Sequence, residues 1–531
     1  MTGAIRVCGL FLILAITLAA APAAAQVSGP PVREGKAGGV LRPVLREDLP
    51  QGFAIHESAT NSVTWPAMPC YSNLVMYDQT KRLGRMDTIV PELAEKWSWQ
   101  DNYRNLVFFL RRDVKWHDGQ PFTSKDVKFT FDVVREAAEA PARLRINPRK
   151  EWYANVDAIE APDPYTVVFR LKRPQPSLVA MLASGYSPVL PAHVPLAEHR
   201  SRCIGTGPFK FKEWKRGQSV ELVRNPDYFV KGRPYLDGVR YTVIVERGTR
   251  VAALQAGQID VAYPGETTLS IAEQLKKAVP GMVFTETASN VSENLLLNTR
   301  KPPFDNLKVR RALSFAIDRR TYTQTVHRGA AVIGASLAPK PWGVWGLLDR
   351  DLSQLPGYGG AAAGRAQAKA LLAEAGFANG FDIEFVTYVQ PTSWSAAIQN
   401  YLQAVGIRPK ITQLQVAAAI QKSWRGENPL YHGSWGSYSI NDVSAIFPVM
   451  YGGGNDDYAR DPELTKLVEA GGATADAATR KKVYSAAIKL MTEKAYWLPL
   501  FTYVNTYAFA KQLEFKTFPD ELPRFYFAKW K

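Results

Sequence analysis

Six histidines, at positions 56, 117, 193, 199, 327 and 432, are the side chains best suited to move protons or bind a metal near neutral pH. They are scattered along the chain. No two share the i, i+4 spacing that puts a pair of imidazoles on one helix face around zinc. His193 and His199 come nearest to a pair, but Pro195 lies between them. There is no C-x-x-C, no G-x-S-x-G elbow for a nucleophilic serine and no P-loop lysine. Gly357-Tyr358-Gly359-Gly360-Ala361-Ala362 fits a loose dinucleotide fingerprint. That motif must follow a strand, whereas Asp351 to Pro356 is polar and ends in proline, so it reads as a surface loop. Carboxylates are plentiful, and none stands out as an acid/base pair. The residues therefore call for no metal and no cofactor, and they argue against an enzyme.

The elements that would position any site begin after a leader. Arg6, the apolar run Leu10 to Ile16 and the small residues Ala23-Ala24-Ala25 have the anatomy of a secretory signal peptide over residues 1–25, cleaved before Gln26. The apolar run is shorter than the ~20 residues needed to span a bilayer. Cys8 lies inside that run, not at its cleavage end, which argues against a lipid anchor. The mature chain is expected free in an oxidising, periplasmic compartment. There Cys70 and Cys203 either form a disulfide or remain two buried thiols.

With 531 residues, 46% apolar and 21% charged, the chain is sized for two or three globular domains. The net charge of +16 is dispersed among acids, with no block of like charge and no nucleic-acid motif, so it reads as a solvated surface. Alternation predicts strands over Tyr103–Arg112, Thr166–Leu171, Arg240–Glu246 and Asp382–Thr387. Thr123-Ser124-Lys125-Asp126 resembles a capping box ahead of Val127, Phe131 and Val134. Helices are predicted over about Asn306–Arg320 and Arg365–Ala375, with Gly376 as a C-terminal cap. Helix-then-strand alternation in the second half predicts α/β layering.

Several segments, in order, resemble the extracellular solute-binding proteins of the dipeptide/oligopeptide/nickel class that serve ABC importers. They are Pro91 to Trp97, Val114 to Gly119, Gly205-Thr206-Gly207-Pro208-Phe209, Arg224 to Tyr228, Gly232 to Asp237, Leu297 to Asp305, Val309 to Arg319 and Ala370 to Phe377. The resemblance implies an α/β fold of two lobes joined by two crossing strands, with a ligand enclosed between them. It implies lobe I over 26–288 with an extra subdomain near 66–199, lobe II over 289–503, and a return to lobe I over 504–531. The crossings are expected near Ala288–Leu297 and Leu500–Tyr507. The implied partners are a small-molecule or short-peptide ligand and the permease subunits of the importer; no nucleic acid is implied, and the chain is expected to be a monomer.

The sequence departs from the peptide-binding pattern at one place. Those members carry an Asp shortly after a Trp in lobe II, which pairs with the ligand's α-ammonium. Here Ser434-Trp435-Gly436-Ser437-Tyr438 sets Tyr438 at that position. Either Asp442 substitutes from a shifted loop, or the ligand lacks a free amino terminus. Trp435 is a candidate wall of the pocket, with Tyr438 beside it, and Tyr71 is a candidate wall from lobe I. Opines, sugars and metal chelates compete with peptides as ligand. A secreted hydrolase and a chaperone-like scaffold are the readings outside transport.

Overall fold

Alternating side chains build the first sheets. In the strand Asn105–Leu110, Leu106, Phe108 and Leu110 turn inward. It is shorter than predicted because Asp101, Asn102 and Tyr103 take positive φ in a tight turn ahead of it. It lies inside a four-stranded antiparallel sheet in the order Ala94–Gln100, Asn105–Leu110, Thr166–Leu171, Val156–Asp163. The capping box forms, with the Thr123 N–H donating to Asp126 Oδ2 at 2.8 Å. It starts the helix Ser124–Val134, whose Val127, Phe131 and Val134 are buried. The computed structural model describes residues 38–531 apart from 82–83, 264–266, 268, 329–330, 341–342, 437–441, 516–521 and 523. The leader, its cleavage site and Tyr438 therefore lie outside the described residues.

A second sheet pairs Phe209–Lys215, Ser219–Arg224 and Gly238–Val243 antiparallel, and Val40–Leu41 and Val44–Leu45 then pair parallel to the last. Gly238–Val243 ends earlier than predicted because Glu246 caps the next helix, accepting the Thr249 N–H at 2.6 Å. The third sheet has six strands in the order Ala331–Val332, Trp497–Phe509, Val283–Leu297, Leu430–Gly436, Phe381–Thr387, Ile407–Gln413. The last three run parallel, and Val283–Leu297 is antiparallel to both of its neighbours.

The helix predicted over 306–320 is two helices, Leu307–Ala316 and Arg319–His327. Ile317 turns extended, and Asp318 caps the second helix by accepting the N–H groups of Arg320 and Thr321. Arg319 fixes the break from within: its buried guanidinium donates to the carbonyls of Pro499, Ser314 and Gly357. The second predicted helix is Ala361–Glu374, and Gly376 takes φ +86° after it, a backbone conformation that favours glycine.

Among the described residues, the buried apolar side chains form three clusters. The first surrounds Trp65, Phe131 and Tyr241 and takes in Tyr507, Ala508 and Phe509 from the far end of the chain. The other two flank the six-stranded sheet, one around Phe447 and Tyr484, the other around Leu313 and Phe385. Trp497–Phe509 therefore starts in the second half's cores and ends in the first core. Paired with Val283–Leu297 along its length, it joins the two halves.

Candidate functional site

Leu430–Gly436 pairs with the joining strand Val283–Leu297 on one side and with the parallel strand Phe381–Thr387 on the other. In open α/β sheets, ligands bind off the carboxyl ends of such strands. Trp435 stands there on the last turn of the sheet, buried, with its ring 5.7 Å from Trp497. Tyr438 falls outside the described residues.

Asp442 is not a free ligand contact. It caps the helix Val443–Tyr451, accepting the Ser444 N–H at 2.9 Å and the Ser444 hydroxyl at 2.6 Å. Arg480 grips the same carboxylate with both terminal nitrogens, at 2.8 and 2.5 Å. The guanidinium is itself held over Trp345 and Tyr484 and donates to the Gly471 carbonyl at 3.1 Å. The pair is buried on both sides, so a ligand ammonium at Asp442 would meet a charge already neutralised. This geometry weighs against Asp442 as the partner of the ammonium.

Tyr71 is likewise engaged within the chain. It is fully buried in the first core, and its hydroxyl lies 2.9 Å from His199 Nδ1. The loop Gly205-Thr206-Gly207 presses onto the Cys70 backbone and the Tyr71 ring: a Cβ on Gly205 would sit 2.0 Å from the Cys70 carbonyl oxygen and 2.9 Å from Tyr71 Cδ1. Cys70 and Cys203 are joined by a disulfide beside it, Cα atoms 6.2 Å apart. The aromatic ring is thus packed under a loop, which weighs against its walling a pocket.

The network that sequence reasoning missed sits under the joining strands. Glu293 Oε1 lies 2.7 Å from His432 Nε2 and accepts the Tyr322 hydroxyl at 2.6 Å, while Oε2 accepts the Tyr503 hydroxyl at 2.5 Å. His432 Nδ1 is 2.8 Å from Ser395 Oγ. Burial pushes the Glu293 carboxyl up, but the charge and hydrogen bond of His432, with His327 and Tyr322, bring it below its ordinary value. Serine, histidine and carboxylate in that order have the connectivity of a hydrolytic triad. Here Glu293, His432 and Ser395 all have 0% exposure, and the Ser395 hydroxyl is 3.1 Å from Thr387 Oγ1. The serine is sealed from solvent, and with Thr387 the network ties four strands to two helices. Glu293, two residues ahead of the apolar run Leu295-Leu296-Leu297, was the signal that could have found it.

Contacts close the two halves on each other. Trp152, in the short 3-10 helix Lys150–Tyr153, donates its indole N–H to the Ala445 carbonyl at 2.8 Å. Ala445 belongs to the helix Val443–Tyr451 yet packs in the first core. Arg173 pairs with Glu469 and Arg328 with Glu273, each at 2.8 Å. Among the described residues no cluster of His, Cys, Asp or Glu could hold a metal ion.

Residues 88–458 match the family model of bacterial extracellular solute-binding proteins, family 5. A Brucella ovis protein, provisionally named an ABC transporter peptide-binding protein, is 34% identical over 289 residues, 52% of this chain and 50% of that protein. The chain thus matches about half the length of that relative. The binding protein AgaA of A. tumefaciens R10, solved with agropinic acid, is 27% identical with a TM-score of 0.80, covering 93% of this chain and 99% of that one. The periplasmic binding protein DppA of Helicobacter pylori, solved with the peptide STSA, has a TM-score of 0.82 at 24% identity, covering 93% and 98%. The fold is that of the two-lobed periplasmic binding proteins. By its family match, its two-lobed fold and the strands that join its halves, this chain belongs to the bacterial extracellular solute-binding proteins, family 5.

Proposed function

We propose that the chain is the solute receptor of an ABC importer, which encloses a small peptide-like ligand between its lobes and presents it to the membrane permease. The lobes are taken as 26–288 and 289–503 with a return over 504–531, and the leader 1–25 as a cleaved signal that releases the protein into the periplasm without a lipid anchor. The observation that carries this reading is the pair of joining strands, Val283–Leu297 and Trp497–Phe509, which run from one set of cores to the other. Two halves tied so can close around a solute as a hinge. In this reading the ligand is bound without being transformed: among the described residues the triad-like array of Ser395, His432 and Glu293 is sealed.

With Asp442 held by Arg480, the ligand is recognised without its α-ammonium at that position. Of the two alternatives left by the sequence, the ligand without a free amino terminus is favoured. Native mass spectrometry of the exported protein, followed by calorimetry with free and N-acetylated dipeptides and opine-like acids, tests this. One-to-one binding with no product, and equal or tighter affinity for acetylated peptides, is expected. Turnover of the ligand, or loss of binding on acetylation, would overturn it.

A further inference from the structure

The sheet face that carries Trp435 holds two more buried polar atoms with no hydrogen-bond partner among the described residues. The three are Trp435 Nε1, Tyr431 Oη and Asn294 Oδ1. Their residues are 7%, 4% and 2% exposed. Tyr431, Gly433 and Trp435 are alternate residues of one strand and so share a face. Asn294, on Val283–Leu297, is the ladder partner of Gly433, between them.

Local geometry explains why these atoms are left over. The Asn294 side chain spends its N–H groups on Ser292, donating to the backbone carbonyl at 3.0 Å and to Oγ at 2.9 Å, which leaves Oδ1 turned from both. The Tyr431 ring lies over Gly433: a Cβ there would come within 3.0 Å of Tyr431 Oη and 3.1 Å of Tyr388 Cε1. Glycine thus lets the Tyr431 hydroxyl reach the row of Asn294. Trp435 follows in the next row on the same face.

The types of these atoms define what suits them. An indole N–H only donates, an amide oxygen only accepts, and a phenol does either. A carboxylate would oppose Asn294 Oδ1 and an ammonium would oppose the Trp435 N–H, each leaving a buried group unpaired. A neutral group with a donor beside an acceptor satisfies both. We propose that Asn294, Tyr431 and Trp435 form a subsite for an uncharged carboxamide of the ligand, with Trp435 donating to its carbonyl oxygen, Asn294 accepting from its N–H and Tyr431 completing the set. Tyr388 and Trp497 flank the face with aromatic surface on which a planar amide can lie. The assignment rests on the receptor reading and deepens it: the peptide unit replaces the amino terminus as the recognised group.

The experiment uses the full exported protein and a library of N-acetyl dipeptide amides. The tightest member is compared by calorimetry with analogues in which one amide N–H at a time is replaced by an ester oxygen. Tyr431→Phe removes a hydroxyl that bonds nothing else in the described chain, so the fold stays; affinity is expected to fall about tenfold, the loss of one buried hydrogen bond. One ester analogue is expected to bind about tenfold more weakly to the parent protein, and no more weakly than its amide to Asn294→Leu. If the library binds the parent protein but Tyr431→Phe and every ester bind unchanged, the three atoms hold an internal water only and the subsite is overturned while the receptor stands. If neither the library nor free peptides, opines or sugars bind the parent protein, the receptor reading falls and the subsite with it.

Discussion

Asp442 and Arg480 are worth more to each other than either is to a ligand. Removing one partner of a buried, doubly bonded pair leaves the other charge uncompensated, which costs about 3–5 kcal/mol. Asp442→Asn is therefore expected to lower the urea midpoint by that order while leaving the ratio of affinities for free and acetylated peptides unchanged; a change in the ratio would return Asp442 to the site. Buried histidines set the response to acid. Desolvation lowers His56 to about 3 and His117 and His199 to about 4, from an ordinary 6.5. In the unfolded chain these imidazoles take up protons below pH 6.5, while the folded chain refuses them until near pH 4. Their contribution is thus fully present above 6.5 and drains away as the pH falls to 4. Melting temperatures recorded from pH 8 to 4 should be flat down to about 7 and then decline steadily; a rise on acidification would contradict the burial. Residue identity alone showed an aromatic and an acid near the expected pocket. It did not show that Arg480 already claims the acid, or that His199 and the 205–207 loop lock Tyr71, because those partners are distant in sequence and no local pattern names them.

The elements were more legible than the pairings. Thr166–Leu171 appears with the predicted bounds, and the capping box at Thr123 and the strand ending at Thr387 appear where alternation and capping put them. Those signals are local: period-two burial and a polar residue three before a carboxylate. The misses are local rules overridden. One apolar stripe over 306–320 hid a break, since Asp318 starts a new helix and Arg319 fills the corner with its guanidinium. The loop carrying Gly205 and Gly207 shows tertiary demand of another kind, two glycines that let backbone meet backbone beside Cys70–Cys203. Closing a loop with a sequence separation of 133 restricts the unfolded chain strongly. The unreduced protein should show no free thiol in denaturant, and Cys203→Ser should cost about 2–5 kcal/mol in stability. Two reactive thiols per chain would contradict it.

At the scale of the whole molecule, closure depends on a few contacts between halves. The Trp152 indole bond to the Ala445 carbonyl is buried and sits at the start of the helix that Asp442 caps. Trp152→Phe keeps an aromatic ring there and deletes the bond. Ligand dissociation in stopped flow is expected to speed up about tenfold, with little change in the association rate; an unchanged dissociation rate would show that the bond does not hold the closed form. The joining strands have a consequence for how the protein is made. Phe509 bridges Val261, Trp530 lies against Gly39, and the ring of Phe525 packs on Trp65. The first core therefore closes only once residues 507–530 are in place, although most of its residues come much earlier in the chain, and the order of assembly runs against the order of synthesis. For a chain exported unfolded, as we propose for this one, that delay helps: an unfinished first half stays threadable until its closing strand arrives.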